Sequence, residues 1–252
     1  MKKRILSFSG GKDSTYLGEI LDYDEAVLFD TGWEFPEMYA HIERFRKRVE
    51  SCGIKFTVLK PEFSFDYLMF EKPVQERRGG THNGYSWCGL CGCRWGTTEK
   101  LKALDDYAKD SGAIVLVGIA ADETHRLERE RAPYKRFPLV EMGITEADCL
   151  QGCYNLGYDW GGLYEHLDRV SCKYCALKNL KELRNIRKYY PDVWEELKER
   201  QKLTSRPYKG KGQSVFQLDA RFAFEEERVV KRLSITNREF FNELKERLEY
   251  IS

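Results

Sequence analysis

The chain has 252 residues, 42% of them hydrophobic, which is long enough for one sizeable core or for one core with a smaller appendage. Its 42 basic and 41 acidic residues leave a formal net charge of +1, so no global field attracts a nucleic acid or a membrane, and any basic surface is local. No stretch approaches the roughly 18 apolar residues that span a bilayer, and the N-terminus lacks a secretory pattern. We therefore expect a cytoplasmic protein with no membrane partner.

The first half of the chain alternates predicted strands with predicted helices. Strands are predicted at 4–8, 26–29, 54–59 and 113–119, and helices at 14–21, 37–52 and 98–109. This alternation is typical of an α/β fold with a doubly wound, mostly parallel sheet. From Thr145 onward the pattern is helical, with a capping box predicted for Thr145 and Asp148. The sequence thus predicts a nucleotide-binding α/β domain at 1–144 and a helical C-terminal region at 145–252.

A glycine-rich turn, SGGKDS at Ser9–Ser14, links the first predicted strand to a helix. Glycines let backbone N–H groups converge on an anion, and the positive end of the helix dipole points to the same place. The hydroxyls of Ser9 and Ser14 add donors, and Lys12 adds a positive charge. The spacing differs from the Walker A pattern, which needs four residues between its first glycine and Gly-Lys. The turn predicts a phosphate-binding loop; the alternative is a flexible turn with a solvated Lys12–Asp13 pair.

Four segments in the right order carry a resemblance to a known family. The turn matches the SGGKDS signature of PP-loop ATP pyrophosphatases. Phe29–Glu37, Gly118–Arg126 and Phe137–Asp148 resemble three motifs of the phosphoadenosine phosphosulfate (PAPS) reductase family, namely DTG-x-x-FPE, G-I-R-x-D-E-S-x-x-R and PL-x-x-W-x-x-x-D. The resemblance implies an adenine nucleotide α-hydrolase-like fold with a five-stranded, mostly parallel sheet. A nucleotide is then expected at the carboxyl ends of the strands, near the topological switch point.

The resemblance also implies the site residues and their ligands. ATP and Mg²⁺ are the expected cofactors, with Lys12, Asp13 and Asp122 as catalytic candidates and the two aspartates as contributors to the Mg²⁺ shell. The candidate nucleotide-binding residues are Ser7, Ser9, Gly10, Gly11, Lys12, Asp13, Ser14, Thr15, Asp30, Thr31, Gly32 and Gly118.

The chain departs from the sulfonucleotide reductases at their nucleophile. Those enzymes use a cysteine in a C-terminal Glu-Cys-Gly-x-His motif, whereas this sequence has no cysteine after Cys175, and Ala120 replaces an arginine of the third motif. These departures favour an ATP-cleaving enzyme that adenylates a substrate for sulfur transfer, with tRNA or DNA as the preferred acceptor and a sulfur donor protein or sulfide as the source. The alternatives are a divergent PAPS/APS reductase and a nucleotide-binding accessory subunit without turnover. The oligomeric state, a homodimer included, stays open.

Two pairs of cysteines indicate a metal site. Cys88-x-x-Cys91 and Cys172-x-x-Cys175 each have the spacing that lets two sulfurs face one ion. Four thiolates suit a [4Fe–4S] cluster or structural Zn²⁺, and the resemblance to cluster-containing sulfurtransferases favours the cluster. Cys93 is a spare thiol, for which we consider substitution for Cys91 or a role as persulfide carrier.

A basic face is predicted just after the second cysteine pair. Lys178, Lys181, Arg184 and Lys188 lie three to four residues apart on a helix predicted over 177–189, so they are expected to share a face. Such a face could guide a phosphodiester backbone. A solvated helical face explains the same residues equally well.

Overall fold

The computed structural model describes residues 2–76, 79–87, 93–128, 132–209, 213–230 and 236–250. The chain forms two compact units, one made of Met1–Phe65 and Arg94–Lys173, the other of Asp66–Cys93 and Tyr174–Ser252. Within the described ranges, no helix is both long enough and apolar enough to cross a bilayer.

The strands of the described residues fall into two sheets. They are β1 (Arg4–Phe8), β2 (Glu25–Phe29), β3 (Lys55–Leu59), β4 (Pro73–Gln75), β5 (Thr81–Asn83), β6 (Ile114–Val117) and β7 (Lys135–Arg136). The first unit holds a five-stranded sheet in the order β3-β2-β1-β6-β7, and every neighbouring pair in it is parallel. All five residues of β2 are buried, as expected for an inner strand covered on both faces. The predicted doubly wound α/β fold is confirmed.

The helices connect these strands and then continue to the C-terminus. They are α1 (Lys12–Ile20), α2 (Pro36–Ser51), α3 (Lys100–Ser111), α4 (Thr124–Leu127), α5 (Pro138–Glu141), α6 (Glu146–Asn155), α7 (Leu163–His166), α8 (Leu180–Tyr189), α9 (Pro191–Lys202), α10 (Val215–Val230) and α11 (Asn237–Glu249). Short π-helical turns occur at Tyr67–Glu71 and Arg94–Glu99, and a 3₁₀ turn at Trp160–Gly162.

The strand order reverses direction at β1, which lies between β2 and β6. Because the sheet is parallel, the segments after β1, β2 and β6 all emerge at one edge. Ser9, Asp30 and Gly118 are the first residues after these three strands. The fold therefore brings the predicted nucleotide-binding segments to the same edge of the sheet.

Helix α6 belongs to the first unit, so the division of the chain differs from the predicted boundary at 144/145. The predicted capping box of Thr145 and Asp148 begins this helix. Its side chains Cys149 and Cys153 are fully buried, and Cys153 Sγ lies 3.4 Å from the carbonyl oxygen of Lys12. A side chain at Gly152 would collide with the ring of Tyr16. This close packing is consistent with the place of α6 in the first unit, which extends to Lys173.

The second unit combines the antiparallel β4–β5 hairpin with helices α8 to α11. Trp194 of α9 and Phe222 of α10 are almost completely buried, with ring centroids 5.9 Å apart. Thr236 and Glu239 form a capping box at the start of α11.

The predicted basic face on α8 is wrong in two respects. A capping box of Asn179 and Glu182 begins the helix at Leu180, so Lys178 lies before it, and the Lys178 side chain is fully buried. Arg184 donates two hydrogen bonds to the Glu225 carboxylate, at 2.5 and 3.0 Å, which neutralises its charge within the unit. Lys181 and Lys188 are the two candidates that remain exposed.

Candidate nucleotide-binding site

Residues Ser9–Ser14, the phosphate loop, are held in shape by their own hydroxyl groups. Ser14 Oγ accepts hydrogen bonds from the Ser9 backbone N–H at 3.1 Å and from the Ser9 hydroxyl at 3.0 Å, and it donates to the carbonyl of Gly11 at 3.1 Å. Gly11 is the N-cap of α1 and has no side chain to bond the first-turn N–H groups. The loop therefore joins a parallel strand directly to a helix N-terminus, which is a favourable place for an anion.

Two glycines allow the backbone to pack closely around the loop. Gly10 has φ +79°, and a Cβ there would lie 2.6 Å from Met38 Sδ, so both conformation and space require glycine. At Gly118, just after β6, a Cβ would lie 2.8 Å from the backbone nitrogen of Ser14. Gly118 thus lets the end of β6 contact the start of α1.

Lys12 lies between two carboxylates, and its side chain is largely buried. Its Nζ donates to Asp13 Oδ1 at 2.9 Å and to Glu146 Oε1 at 2.7 Å. Burial alone would lower the pKa of Lys12, but the hydrogen bonds to Glu146 and Asp13 outweigh it and raise that pKa above its ordinary value. Burial raises the pKa of Asp13 despite the neighbouring ammonium. Lys12 is therefore positively charged at neutral pH, which suits a phosphate ligand.

Three carboxylates converge beside the loop. Ligand atoms of Asp13, Glu123 and Glu146 all lie within 4.8 Å of one another, a group found among the described residues. Asp122, the predicted partner of Asp13, is not in this group; its Oδ1 accepts a hydrogen bond from the backbone N–H of Glu146 at 3.0 Å. Oxygen ligands of this kind suit Mg²⁺, so Asp13, Glu123 and Glu146 fit such an ion.

The Asp30–Thr31–Gly32 turn after β2 is organised by its own side chains. Asp30 Oδ1 accepts hydrogen bonds from the Gly32 N–H at 2.9 Å and from the Tyr39 hydroxyl at 2.8 Å. The Thr31 hydroxyl donates to Glu34 Oε1 at 2.9 Å. These contacts fix a rigid turn at the sheet edge.

Two further predicted nucleotide-binding residues, Ser7 and Thr15, lie within β1 and α1. Ser7 lies within β1, in register with Val27 of β2 and Val117 of β6. Thr15 is fully buried, and its hydroxyl is 2.9 Å from His41 Nε2. The Thr15 hydroxyl therefore joins α1 to α2.

Cys172, one of the four predicted metal ligands, lies next to the turn that follows β2. Its Sγ lies 3.7 Å from Thr31 Oγ1 and 3.6 Å from Glu34 Oε1. Burial lowers the pKa of Lys100, while the charges of Glu34 and Cys172 act in the opposite direction. A thiol thus lies at the Asp30–Gly32 turn. The sequence did not predict this contact, because Cys172 and Thr31 are 141 residues apart.

The remaining members of the cysteine pairs are located separately. Cys88 and Cys91 lie outside the described residues. Cys175 belongs to the second unit, where its carbonyl oxygen accepts a hydrogen bond from the Tyr208 hydroxyl at 2.6 Å. The four-cysteine metal site stays a prediction from the sequence.

Sequence reasoning missed the segment before and within α7, which contacts the phosphate loop. The indole N–H of Trp160 donates to the carbonyl of Gly10 at 2.7 Å, and the Lys12 backbone N–H donates to the Tyr164 hydroxyl at 3.0 Å. The doublet Gly161-Gly162 was the available signal for an unusual backbone conformation here. Glu146 was also missed, although it stands inside the recognised capping box.

A parallel sheet with a glycine-rich phosphate loop after its first strand, and a buried lysine in that loop, defines a PP-loop type of nucleotide-binding protein. The model of the phosphoadenosine phosphosulfate reductase domain matches residues 3–138, more than half of the chain. The chain belongs to the phosphoadenosine phosphosulfate reductase family.

Two similar proteins come from the archaeon Methanocaldococcus jannaschii. The uncharacterized protein MJ0973 is 26% identical over 216 residues, which cover 75% of this chain and 45% of that protein. The uncharacterized protein MJ0066 is 26% identical over 217 residues, which cover 77% of this chain and 40% of that protein. The chain therefore spans less than half the length of either relative.

Proposed function

We propose that this protein cleaves ATP to AMP and pyrophosphate in order to adenylate a substrate for sulfur transfer. The observation that carries the proposal is the complete phosphate loop, in which Lys12 is held by Asp13 and Glu146 at the carboxyl edge of the sheet. A charged lysine beside backbone N–H groups suits the pyrophosphate that leaves in this reaction.

The proposed reaction has two steps, adenylation of the substrate and transfer of sulfur to it. A substrate oxygen attacks the α-phosphorus of ATP, the bond from that phosphorus to the bridging oxygen breaks, and pyrophosphate leaves. A sulfide sulfur then attacks the adenylated carbon, the new carbon–sulfur bond replaces the carbon–oxygen bond, and AMP departs with the original oxygen. Lys12 and the N-terminus of α1 stabilise the negative charge that develops on the departing pyrophosphate.

Mg²⁺ is the cation that we propose to accompany ATP. Asp13, Glu123 and Glu146 would hold it, because their ligand atoms lie within 4.8 Å of one another. When bound, the ion neutralises phosphate charge. The Lys12 ammonium now contacts two of these carboxylates, so binding of the ion would release Lys12 towards the phosphates.

Sulfur chemistry is supported by the position of Cys172. Its thiol lies 3.7 Å from Thr31 Oγ1, in the turn that follows β2 at the nucleotide edge. We propose that Cys172 forms a [4Fe–4S] centre together with Cys88, Cys91 and Cys175, with Zn²⁺ as the alternative.

For the acceptor we propose nucleic acid, on the basis of two exposed lysines of α8. Lys181 and Lys188 are exposed and lie seven residues apart on α8, a spacing that puts them on one face of a helix. Lys178 is buried and Arg184 is paired with Glu225, so neither adds to this surface.

The test is turnover of ATP with Mg²⁺ and sulfide, with and without bulk tRNA or DNA, and with pyrophosphate and AMP as measured products. Wild-type protein should release both in equal amounts. Lys12→Met should abolish release, whereas Lys47→Met, at a 75% exposed side chain on α2, should not change it. Production of ADP and phosphate, or sulfite release from PAPS in the presence of a thiol reductant, would contradict the proposal.

A further inference from the structure

Tyr164 has a direct contact with the phosphate loop. Its hydroxyl oxygen accepts a hydrogen bond from the backbone N–H of Lys12 at 3.0 Å. A Cβ built on Gly11 would lie 3.5 Å from the same oxygen. The Tyr164 hydroxyl therefore stands against the first residues of α1, where an anion would be bound by the loop.

The segment that carries Tyr164 is held in an unusual conformation. Trp160, which is 1% exposed, has φ +51°, a left-handed value that a bulky residue rarely adopts, and Gly161 and Gly162 are also left-handed. The Asp159 side chain accepts a hydrogen bond from the Gly161 N–H at 3.1 Å, which fixes this turn. Backbone strain of this kind persists only where the surroundings enforce it, and it is concentrated at functional sites.

Trp160 contacts both the phosphate loop and Tyr164. Its indole N–H bonds the Gly10 carbonyl at 2.7 Å, and its ring meets that of Tyr164 edge-on at a centroid distance of 4.9 Å. The Tyr164 ring is thus positioned relative to the same loop by two contacts, one through Trp160 and one through Lys12.

The proton of the Tyr164 hydroxyl is available for donation. The oxygen accepts from Lys12, but among the described residues no acceptor receives the O–H itself. Burial raises the pKa of Tyr164, so the group keeps its proton at physiological pH. A phenol that accepts one hydrogen bond and still holds its proton is a good donor to a charged oxygen.

We propose that Tyr164 is an additional phosphate-binding residue of the loop, donating its O–H to an oxygen of the pyrophosphate portion of a nucleoside triphosphate. This inference rests on the proposed function, because it assumes that the loop binds this part of ATP. Tyr164 lies beyond residue 138, where the match to the family domain ends, so this donor is supplied by the part of the chain outside that match.

The experiment measures the affinity for ATP, pyrophosphate and adenosine by calorimetry, for wild-type protein and two variants. Tyr164→Phe removes the hydroxyl and keeps the ring against Trp160. Tyr158→Phe is the matched control, because the Tyr158 hydroxyl donates to Glu19 at 2.7 Å and has no contact with the loop. Thermal melting checks that both variants are folded.

Tyr164→Phe should bind ATP and pyrophosphate at least tenfold more weakly, since a hydrogen bond to a charged group is lost, and should bind adenosine unchanged. Tyr158→Phe should bind all three like the wild type. Equal or tighter binding of pyrophosphate by Tyr164→Phe overturns the inference and leaves the proposed function intact. If the wild type binds ATP and pyrophosphate but releases no AMP, the proposed function fails while the Tyr164 contact stands; a wild type that binds neither ligand overturns both.

Discussion

The buried carboxylate of Glu25 makes a pH-dependent contribution to stability that can be calculated. Glu25 begins β2 and is fully buried. It accepts hydrogen bonds from Lys3 at 2.5 Å, Tyr107 at 2.8 Å and the Thr57 hydroxyl, and it pairs with Lys55 at 2.9 Å. Burial alone would raise the pKa of Glu25, but these partners together lower it to about 2.

The pKa difference between 4.5 and about 2 corresponds to about 3 kcal/mol of unfolding free energy. The Lys55 side chain is 63% exposed, so solvent screening weakens its part. We expect Glu25→Gln to lower the free energy of unfolding by about 2 kcal/mol at pH 7. Because the folded-state pKa is the lower one, the contribution is complete above pH 4.5 and is lost as the pH falls from 4.5 towards 2.

Urea denaturation followed by circular dichroism at pH 7, 5 and 3.5 measures this effect. The difference between wild type and Glu25→Gln should be similar at the two higher pH values and clearly smaller at pH 3.5. Glu43→Gln, at a 52% exposed side chain on α2, serves as the control and should change stability little. An absent difference at pH 7, or one that grows on acidification, would refute the assignment of Glu25 as a stabilising buried anion.

Two further predictions concern the loop and the cysteines. Gly118→Ala would place a Cβ 2.8 Å from the Ser14 nitrogen, so the loop must move; calorimetry should show at least tenfold weaker ATP binding, and unchanged affinity would contradict the close packing described. Anaerobic purification should yield a brown protein with iron and sulfide in equal amounts, and Cys172→Ser should lose that colour. A colourless wild type with stoichiometric zinc would replace the cluster by a zinc site.

Much of the fold could be predicted because its signals are local. The run at Arg4–Phe8 is a short strand that ends at a glycine turn, and this pattern identified β1 and the loop together. The capping box at Thr145 was recognised from the spacing of two residues. Patterns of this kind can be predicted because the interacting groups lie within one turn of helix and do not depend on distant parts of the chain.

The rest of the site depends on contacts between distant parts of the chain. Tyr164 is 152 residues from Lys12, and Glu146 is 134 residues from it, so no periodicity or spacing links them. The packing of α6 on α1 brings Glu146 to the loop, whereas Tyr164 is brought there by α7 and the preceding turn, in which Trp160 bonds Gly10. The predicted start of α8 at residue 177 is wrong for a different reason. The Asn179–Glu182 capping box, which could be read from the sequence, begins the helix at Leu180 and leaves Lys178 outside it.

A nucleotide-affinity panel distinguishes an ATP-cleaving enzyme from a sulfonucleotide-binding one. Calorimetric titration of the wild-type protein with ATP, AMP, APS and PAPS, in the presence of Mg²⁺, compares the ligands that the phosphate loop could accept. We predict that ATP binds most tightly, because its pyrophosphate portion is the part that Lys12 and the N-terminus of α1 are placed to bind. Tighter binding of PAPS or APS than of ATP would contradict an ATP-cleaving function and favour a sulfonucleotide substrate.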